Sequence, residues 1–220
     1  FGPILTLLAS QCGANDPSHL LSLRLLRQLA VINPADILIL FRRRLFECLS
    51  ELGFGDGQRG LLEKECSAEV LSELVRFPEH WLRPYSSTIL QMSLQCIRSS
   101  QLMPDADILV SSSAKIVAQI AAIEPAVLEH RLQEIFDLFS ELLTESHGEK
   151  RQVAVVSSFA VILRLSDRRK LTEDGLPKLM LTLFGILKVE LNVNVRMQLL
   201  DLFGVVGSID PFRIKVPQMI

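Results

Sequence analysis

Apolar residues recur along this chain at intervals of three and four residues, which is the spacing of α-helices. The pattern is sharpest over residues 125–143, where one stripe holds Leu128, Leu132, Ile135, Phe136, Phe139, Leu142 and Leu143. Polar and charged residues fill the opposite face, which predicts one two-sided helix of about five turns. Residues 177–191 repeat the pattern, with inward positions at Leu179, Met180, Leu183, Phe184, Leu187 and Leu191. The alternation typical of a strand is not convincing anywhere.

Four other segments are apolar around a wider arc than these two. They are residues 20–32, 108–123, 153–165 and 195–209. A helix that is apolar over much of its circumference has to be covered by several neighbours. We therefore expect these four helices to form an inner layer, with the two-sided helices outside it.

Prolines mark the breaks between the helices. Pro34, Pro78, Pro125 and Pro211 each follow an apolar helix and precede another, at intervals of 44, 47 and 86 residues. A period of roughly 40 to 47 residues with two helices per unit is typical of HEAT or armadillo repeats. The sequence thus predicts an all-α fold, an α-solenoid of about five HEAT-type repeats over residues 1–220. The repeats fall at 1–33, 34–77, 78–124, 125–166 and 167–210, and a further repeat starts at 211.

Composition agrees with a folded chain that has a large core. Hydrophobic residues make up 49% and charged residues 22%, and the net charge is −2 because 23 Lys and Arg nearly balance 25 Asp and Glu. Without a basic excess to neutralise phosphates, nucleic acid is not expected as a partner. Mean hydropathy is high, at +0.32, but no uncharged run is long and apolar enough for a span of about 18 residues. We expect no membrane span.

Motifs that could carry chemistry are weak. Residues 55–60 match G-x-G-x-x-G but follow a helix rather than a strand, so we interpret them as a loop. The pair Ser112 and Lys115 resembles a serine-hydrolase fragment, but it lies in an apolar helix without the other motifs. Metal-ligand spacing is lacking among the histidines and cysteines, which are His19, His80, His130, His147, Cys12, Cys48, Cys66 and Cys96. We expect no catalytic residue, no cofactor-binding residue, no metal ligand and no bound cofactor, and we interpret the cysteines as reduced.

Charged residues at the starts of inner helices have a structural interpretation. Arg151 and Arg196 lie 45 residues apart, and such positions can form a ladder of charges or amides between neighbouring repeats. The run Arg42, Arg43 and Arg44 spreads around most of a helix, which favours a solvated face over a binding patch.

One long stretch resembles a segment of the N-terminal HEAT region of target-of-rapamycin (TOR) kinases; it is VRMQLLDLFGVVGSIDPFRIKV at residues 195–216. Three shorter stretches agree in order. They are KRQVA at 150–154, LRPY at 82–85 after KECS at 64–67, and Asn33 and Pro34 followed by residues 42–52. The resemblance covers roughly residues 20–220 and departs in the loops at 99–107 and 166–174.

The resemblance implies that the parent is a very large serine/threonine kinase whose catalytic domain lies far C-terminal to this piece. It implies a non-catalytic scaffold here, which docks adaptor subunits and the second copy of a dimer and packs against flanking repeats of the same chain. It also implies a cytoplasmic location, including endomembrane surfaces reached through partners. The alternative is a HEAT scaffold of another system, such as a nuclear transport receptor or a phosphatase scaffold subunit.

The two ends of the chain lack polar capping helices. The sequence begins with Phe1, inside an apolar stretch, and stops soon after Pro211. A solenoid stays soluble by covering its terminal repeats. We expect an internal piece of a longer solenoid that self-associates, with Leu202, Phe203, Val205 and Val206 partly uncovered.

Overall fold

The computed structural model describes residues 18–35, 37, 60–76, 82–100, 103, 105–144, 148–166, 171 and 175–209. Within these residues the chain forms nine α-helices, a short 3-10 helix at Arg83–Tyr85, and no strand. The helices are α1 Ser18–Ile32, α2 Leu61–Val75, α3 Ser86–Ser100, α4 Asp107–Ile123, α5 Pro125–Glu129, α6 Leu132–Thr144, α7 Glu149–Leu165, α8 Gly175–Val189 and α9 Val193–Ile209.

Five of these helices lie side by side in one row. Helices α1, α2, α4, α7 and α9 each pack along the next, and their first residues are 43, 46, 42 and 44 positions apart. We call them the inner row. On the other side, α3 packs on α4, α6 on α7 and α8 on α9. The prediction of an all-α solenoid is confirmed.

One large apolar cluster runs the length of the row, from Leu23 in α1 to Val206 in α9, and a smaller one lies between α2, α3 and α4. Between α6 and α7, the buried ring of Phe159 meets two others. The centroid of Phe159 is 5.6 Å from that of Phe136 and 5.4 Å from that of Phe139. Rings at these separations add about 0.5 to 1.5 kcal/mol to the effect of burial alone.

The four wide-arc segments correspond to α1, α4, α7 and α9, and all four belong to the inner row. Sequence analysis did not single out the fifth member, α2. That helix buries three polar side chains, Glu65, Ser67 and Ser72, so its apolar pattern is interrupted on the very faces that pack. No described helix is long and apolar enough to cross a membrane.

The prediction of one helix over residues 125–143 is wrong in one respect, because the structure divides this segment into α5 and α6. A turn at His130 and Arg131 separates them, and the Arg131 N–H donates to the Leu128 carbonyl at 2.9 Å. The turn lets α5 pack on α4 while α6 packs on α7 and α8. The predicted inward stripe is nevertheless buried in full.

The expected inward face of the next outer helix also needs correction. Leu179, Met180 and Leu183 are buried, but Phe184 is 36% exposed and Leu191 is 87% exposed. Leu191 lies outside the core because α8 ends at Val189, two residues before it.

The expectation that the last inner helix is uncovered on its apolar side is wrong for three of its four residues. Leu202, Val205 and Val206 are buried, and Phe203 is half-buried against Phe184. Helices α7 and α8 cover that side of α9. Besides Phe184, the exposed large apolar side chains of α8 and α9 are Leu181, Val189, Val193, Met197 and Leu200.

Truncation of Phe159 tests the assignment of the core. We expect Phe159→Ala to lower the free energy of unfolding by about 3 to 5 kcal/mol, because it leaves a cavity beside the two remaining rings. Phe184→Ala is the matched control, since that ring is partly exposed and packs against Phe203 alone among the described aromatic residues. Its effect should stay below about 2 kcal/mol. Urea denaturation followed by circular dichroism measures both, and equal losses would contradict this core.

Candidate functional site

The inner row carries an open groove of about 1220 Å³ on α1, α2, α4 and α7. Small residues line the groove, and four of them are buried: Cys66, Ser111, Ser112 and Ala154. Longer and more exposed side chains stand around them, among them Arg24, Leu25, Leu62, Ile108 and Lys115. Solenoids use surfaces of this kind, extended along several repeats, to bind partners.

An apolar row crosses the groove at the period of the repeat. Leu62, Ile108 and Val153 lie 46 and 45 residues apart in α2, α4 and α7, and all three line the groove. Leu62 is 44% exposed and Ile108 is 45% exposed. Single exposed apolar residues are common on protein surfaces, whereas a row of them along one groove favours contact with another molecule.

Charges of both signs line the same groove in equal number: Arg24, Arg27, Lys115 and Lys150 against Glu65, Glu69, Asp107 and Glu149. Arg27 and Glu69 join α1 to α2, with Nη2 2.9 Å from Oε1. Burial raises the pKa of Glu69, and the attraction of Arg27 and Lys115 opposes this shift.

Glu65 differs from the other acidic residues of the groove. Only 7% of the residue is exposed, and its pKa is raised by burial and by the negative charges of Glu69, Asp105 and Asp107. Within the described part of the chain it has no cationic partner. Helices α2 and α4 therefore meet here through carboxylates of like sign.

An ion pair between a buried arginine and a partly exposed aspartate joins α4 to α7 beside this cluster. Arg151 is fully buried, and its Nη1 lies 3.5 Å from Oδ1 of Asp107. Gly148 permits this approach, because a Cβ at that position would stand 2.7 Å from Oδ2 of Asp107. Any other residue at position 148 would have to displace the carboxylate.

A third polar contact joins α7 to α9. The Asn194 side-chain N–H donates to Oε1 of Glu149 at 2.7 Å, across 45 residues of sequence. Hydrogen bonds from Asn194 and Asn192 lower the pKa of Glu149. Asn192 also caps the start of α9, since its Oδ1 accepts the N–H of Asn194 at 2.9 Å. We call these contacts, with Arg27–Glu69 and Asp107–Arg151, the polar rungs.

The rungs bear on the ladder predicted for Arg151 and Arg196. Arg151 takes part in a rung, as expected, but Arg196 is exposed on α9, and the amide of Asn194 makes the contact two residues earlier. Sequence spacing identified the right turn of the helix and the wrong side chain, because charge alone does not show which residue faces the neighbour.

The other residues considered from sequence lie apart from one another. Ser112 is buried in α4 and Lys115 is exposed one turn later. Cys66 and Cys96 are buried free thiols, and burial raises the pKa of each. His130 is exposed in the turn between α5 and α6. Among the described residues no three His, Cys, Asp or Glu side chains are placed to hold a metal ion.

Several predictions fall outside the described residues. They concern the glycine motif before Gly60, the basic run at 42–44, the side chain of His19, and all of His80, His147, Cys12 and Cys48.

Comparison with known proteins finds TOR kinases. No family model matches the chain. It is 26% identical over 192 residues to the target of rapamycin homolog of Caenorhabditis elegans. The aligned residues make up 87% of this chain and 7% of that protein. It is 24% identical to the serine/threonine-protein kinase TOR2 of Saccharomyces cerevisiae over 193 residues, again 87% of this chain and 7% of the relative. The serine/threonine-protein kinase tor1 of Schizosaccharomyces pombe is 24% identical over 84% of this chain and 8% of its own length.

The resemblance to TOR kinases is thus confirmed over most of the chain, at low identity and in several species. The chain spans only about 7% of the length of the first two of these relatives. The similarity therefore describes one helical region, and it carries nothing over from the rest of those proteins.

Removal of the Asp107 carboxylate tests the role of its ion pair with the buried Arg151. We expect Asp107→Ala to lower the free energy of unfolding by about 2 to 3 kcal/mol, because the fully buried Arg151 cation loses the attraction of the Asp107 carboxylate. Adding Arg151→Met should recover part of this loss, since the double variant buries no cation. Urea denaturation of the two variants measures the difference.

The matched control is an exposed pair. Arg164 and Asp201 also join α7 to α9, with Nη2 2.6 Å from Oδ1, and both side chains are about half exposed. Asp201→Ala should lower the free energy of unfolding by less than about 1 kcal/mol. If Asp107→Ala is no more damaging than Asp201→Ala, the pair of Asp107 with Arg151 has no special role.

Proposed function

We propose that this chain is a segment of the HEAT-repeat solenoid of a TOR-type kinase, and that it binds other proteins rather than carrying out chemistry. The observation that supports this is similarity to TOR kinases across more than four fifths of the chain in a worm and two yeasts. The relatives named above are all TOR kinases, which favours this proposal over a transport receptor or a phosphatase scaffold.

The HEAT assignment rests on the repeat period. Inner helices begin every 42 to 46 residues, and α4, α7 and α9 each have an outer helix packed against them. Two helices per unit at this spacing are typical of HEAT and armadillo repeats. We divide the chain into five repeats at 1–33, 34–77, 78–124, 125–166 and 167–210, with a sixth starting at 211.

The mechanism is one of holding surfaces in a fixed relation. Each repeat contacts its neighbours, so the shared core keeps successive outer and groove residues at constant spacing. We propose that adaptor subunits and the second copy of a dimeric kinase complex bind such surfaces in the cytoplasm, and that flanking repeats of the same chain continue the array. The kinase domain of the parent would lie C-terminal to this segment.

The full reading frame of the parent gene tests this function. We expect a kinase domain downstream, with a glycine-rich loop, a catalytic-loop Asp and Asn, and a metal-binding Asp. Sequencing of the complete transcript provides the measurement. A frame that ends without such a domain, or that encodes a different HEAT scaffold, would remove the TOR assignment and leave the solenoid.

Absence of phosphate chemistry is a separate expectation. The purified 220-residue protein should neither hydrolyse ATP nor transfer its phosphate to a protein substrate, because the described residues offer no carboxylate set for magnesium. Calorimetric titration with Mg-ATP and a radiolabelled phosphate assay measure both activities. Saturable nucleotide binding would contradict the non-catalytic assignment.

A further inference from the structure

The buried carboxylate of Glu65 is the most unusual group in the groove. It lies in a cluster with Glu69, Asp105 and Asp107, all of which are negative. An acidic side chain that is more than nine-tenths buried normally has a cationic or hydrogen-bonding partner, because desolvation opposes its charge. Glu65 faces like charges instead, and it lines the open groove.

The other acidic residues of the cluster are differently placed. Glu69 is paired with Arg27 at 2.9 Å, and Asp107 is paired with the buried Arg151 at 3.5 Å. Asp105 is exposed just before α4 begins. Glu65 is therefore the member that is largely buried and has no cationic partner in the described part of the chain, and a cation that entered the groove would meet it there.

Apolar side chains flank this position. Leu62 lies three residues before Glu65 on the same face of α2, and Ile108 follows Asp107 in the first turn of α4. Both are about half exposed, and both line the groove. A ligand that placed a cation against Glu65 would thus contact apolar surface on two helices.

We propose that Glu65 receives the arginine side chain of a partner protein, whose neighbouring apolar residue packs on Leu62 and Ile108. A guanidinium suits the site because it is weakly hydrated, stays charged, and has five donors that can serve more than one carboxylate. The arginine supplies a cationic partner, which the described residues do not give to Glu65 although four cations line the same groove. The proposal rests on the proposed function only in expecting a protein partner.

A pair of synthetic peptides tests the proposal. One is the dye-labelled peptide Gly-Ser-Leu-Arg-Leu-Ser-Gly, and the other has citrulline, which is neutral and of similar shape, in place of arginine. Fluorescence anisotropy with the whole 220-residue chain at neutral pH compares them. We expect the arginine peptide to bind about tenfold more tightly, as is typical for a charge-assisted contact.

Two variants show whether Glu65 is responsible. Glu65→Gln should reduce the preference for arginine to about twofold or less, because it removes the charge and keeps the shape. Asp137→Asn, which removes an exposed carboxylate from the outer helix α6, should leave the preference unchanged. Equal binding of the two peptides by the unaltered chain would overturn the proposal, as would full preference in Glu65→Gln or an equal loss in both variants.

The fold of Glu65→Gln is checked by its helical circular dichroism. We expect it to fold, because the substitution removes a buried charge that faces three others of the same sign. If the helical signal is lost, the two peptides are compared on Asp105→Asn instead. Asp105 is exposed, and removal of its negative charge should also lower the preference for arginine. Because the peptides are defined, this result stands whether or not the reading frame encodes a kinase, so the two proposals can fail separately.

Discussion

The side-by-side packing of the inner helices is the constraint on which the rest of this structure depends. Helix α4 shows why, because it is buried against α2 on one side, α7 on the other and α3 beneath. No single neighbour could cover it, so a repeat excised from the row would expose much of its apolar surface to water. The groove is a product of the same packing, since four different inner helices have to stand in line before it exists.

Apolar packing alone does not fix how far one inner helix slides along the next, and the polar rungs supply that information. A shift by one turn would separate the Asp107 carboxylate from the buried Arg151 cation. The same shift would separate Glu149 from Asn194. Between α2 and α4 the charges are mixed, because Glu69 attracts Lys115 while Glu65 is repelled by Asp105 and Asp107. The interface between α2 and α4, which the groove crosses near its middle, thus combines attraction and repulsion between charged side chains.

Sequence analysis predicted the fold well and the groove poorly, for physical reasons. Wide-arc helices and regularly spaced prolines are local features, and they identified α1, α4, α7 and α9. The break between α5 and α6 was missed because the apolar stripe continues across His130 and Arg131, and only the directions of α4 and α7 decide where the chain turns. Glu65 was not singled out because a buried acid and a solvated one look alike in a sequence. Its surroundings come from Asp105 and Asp107, which lie about 40 residues away.

The difference between the two sides of the row has a mechanical consequence. Inner helices contact one another along most of their length, while the outer helices α6 and α8 touch only slightly. An exposed ion pair, Arg98 with Glu134 at 2.6 Å, bridges α3 and α6, and such pairs weaken as salt is added. We therefore expect the inner row to be the stiffer layer of the described array, so that bending would change the spacing of the outer helices more than the distances within the groove.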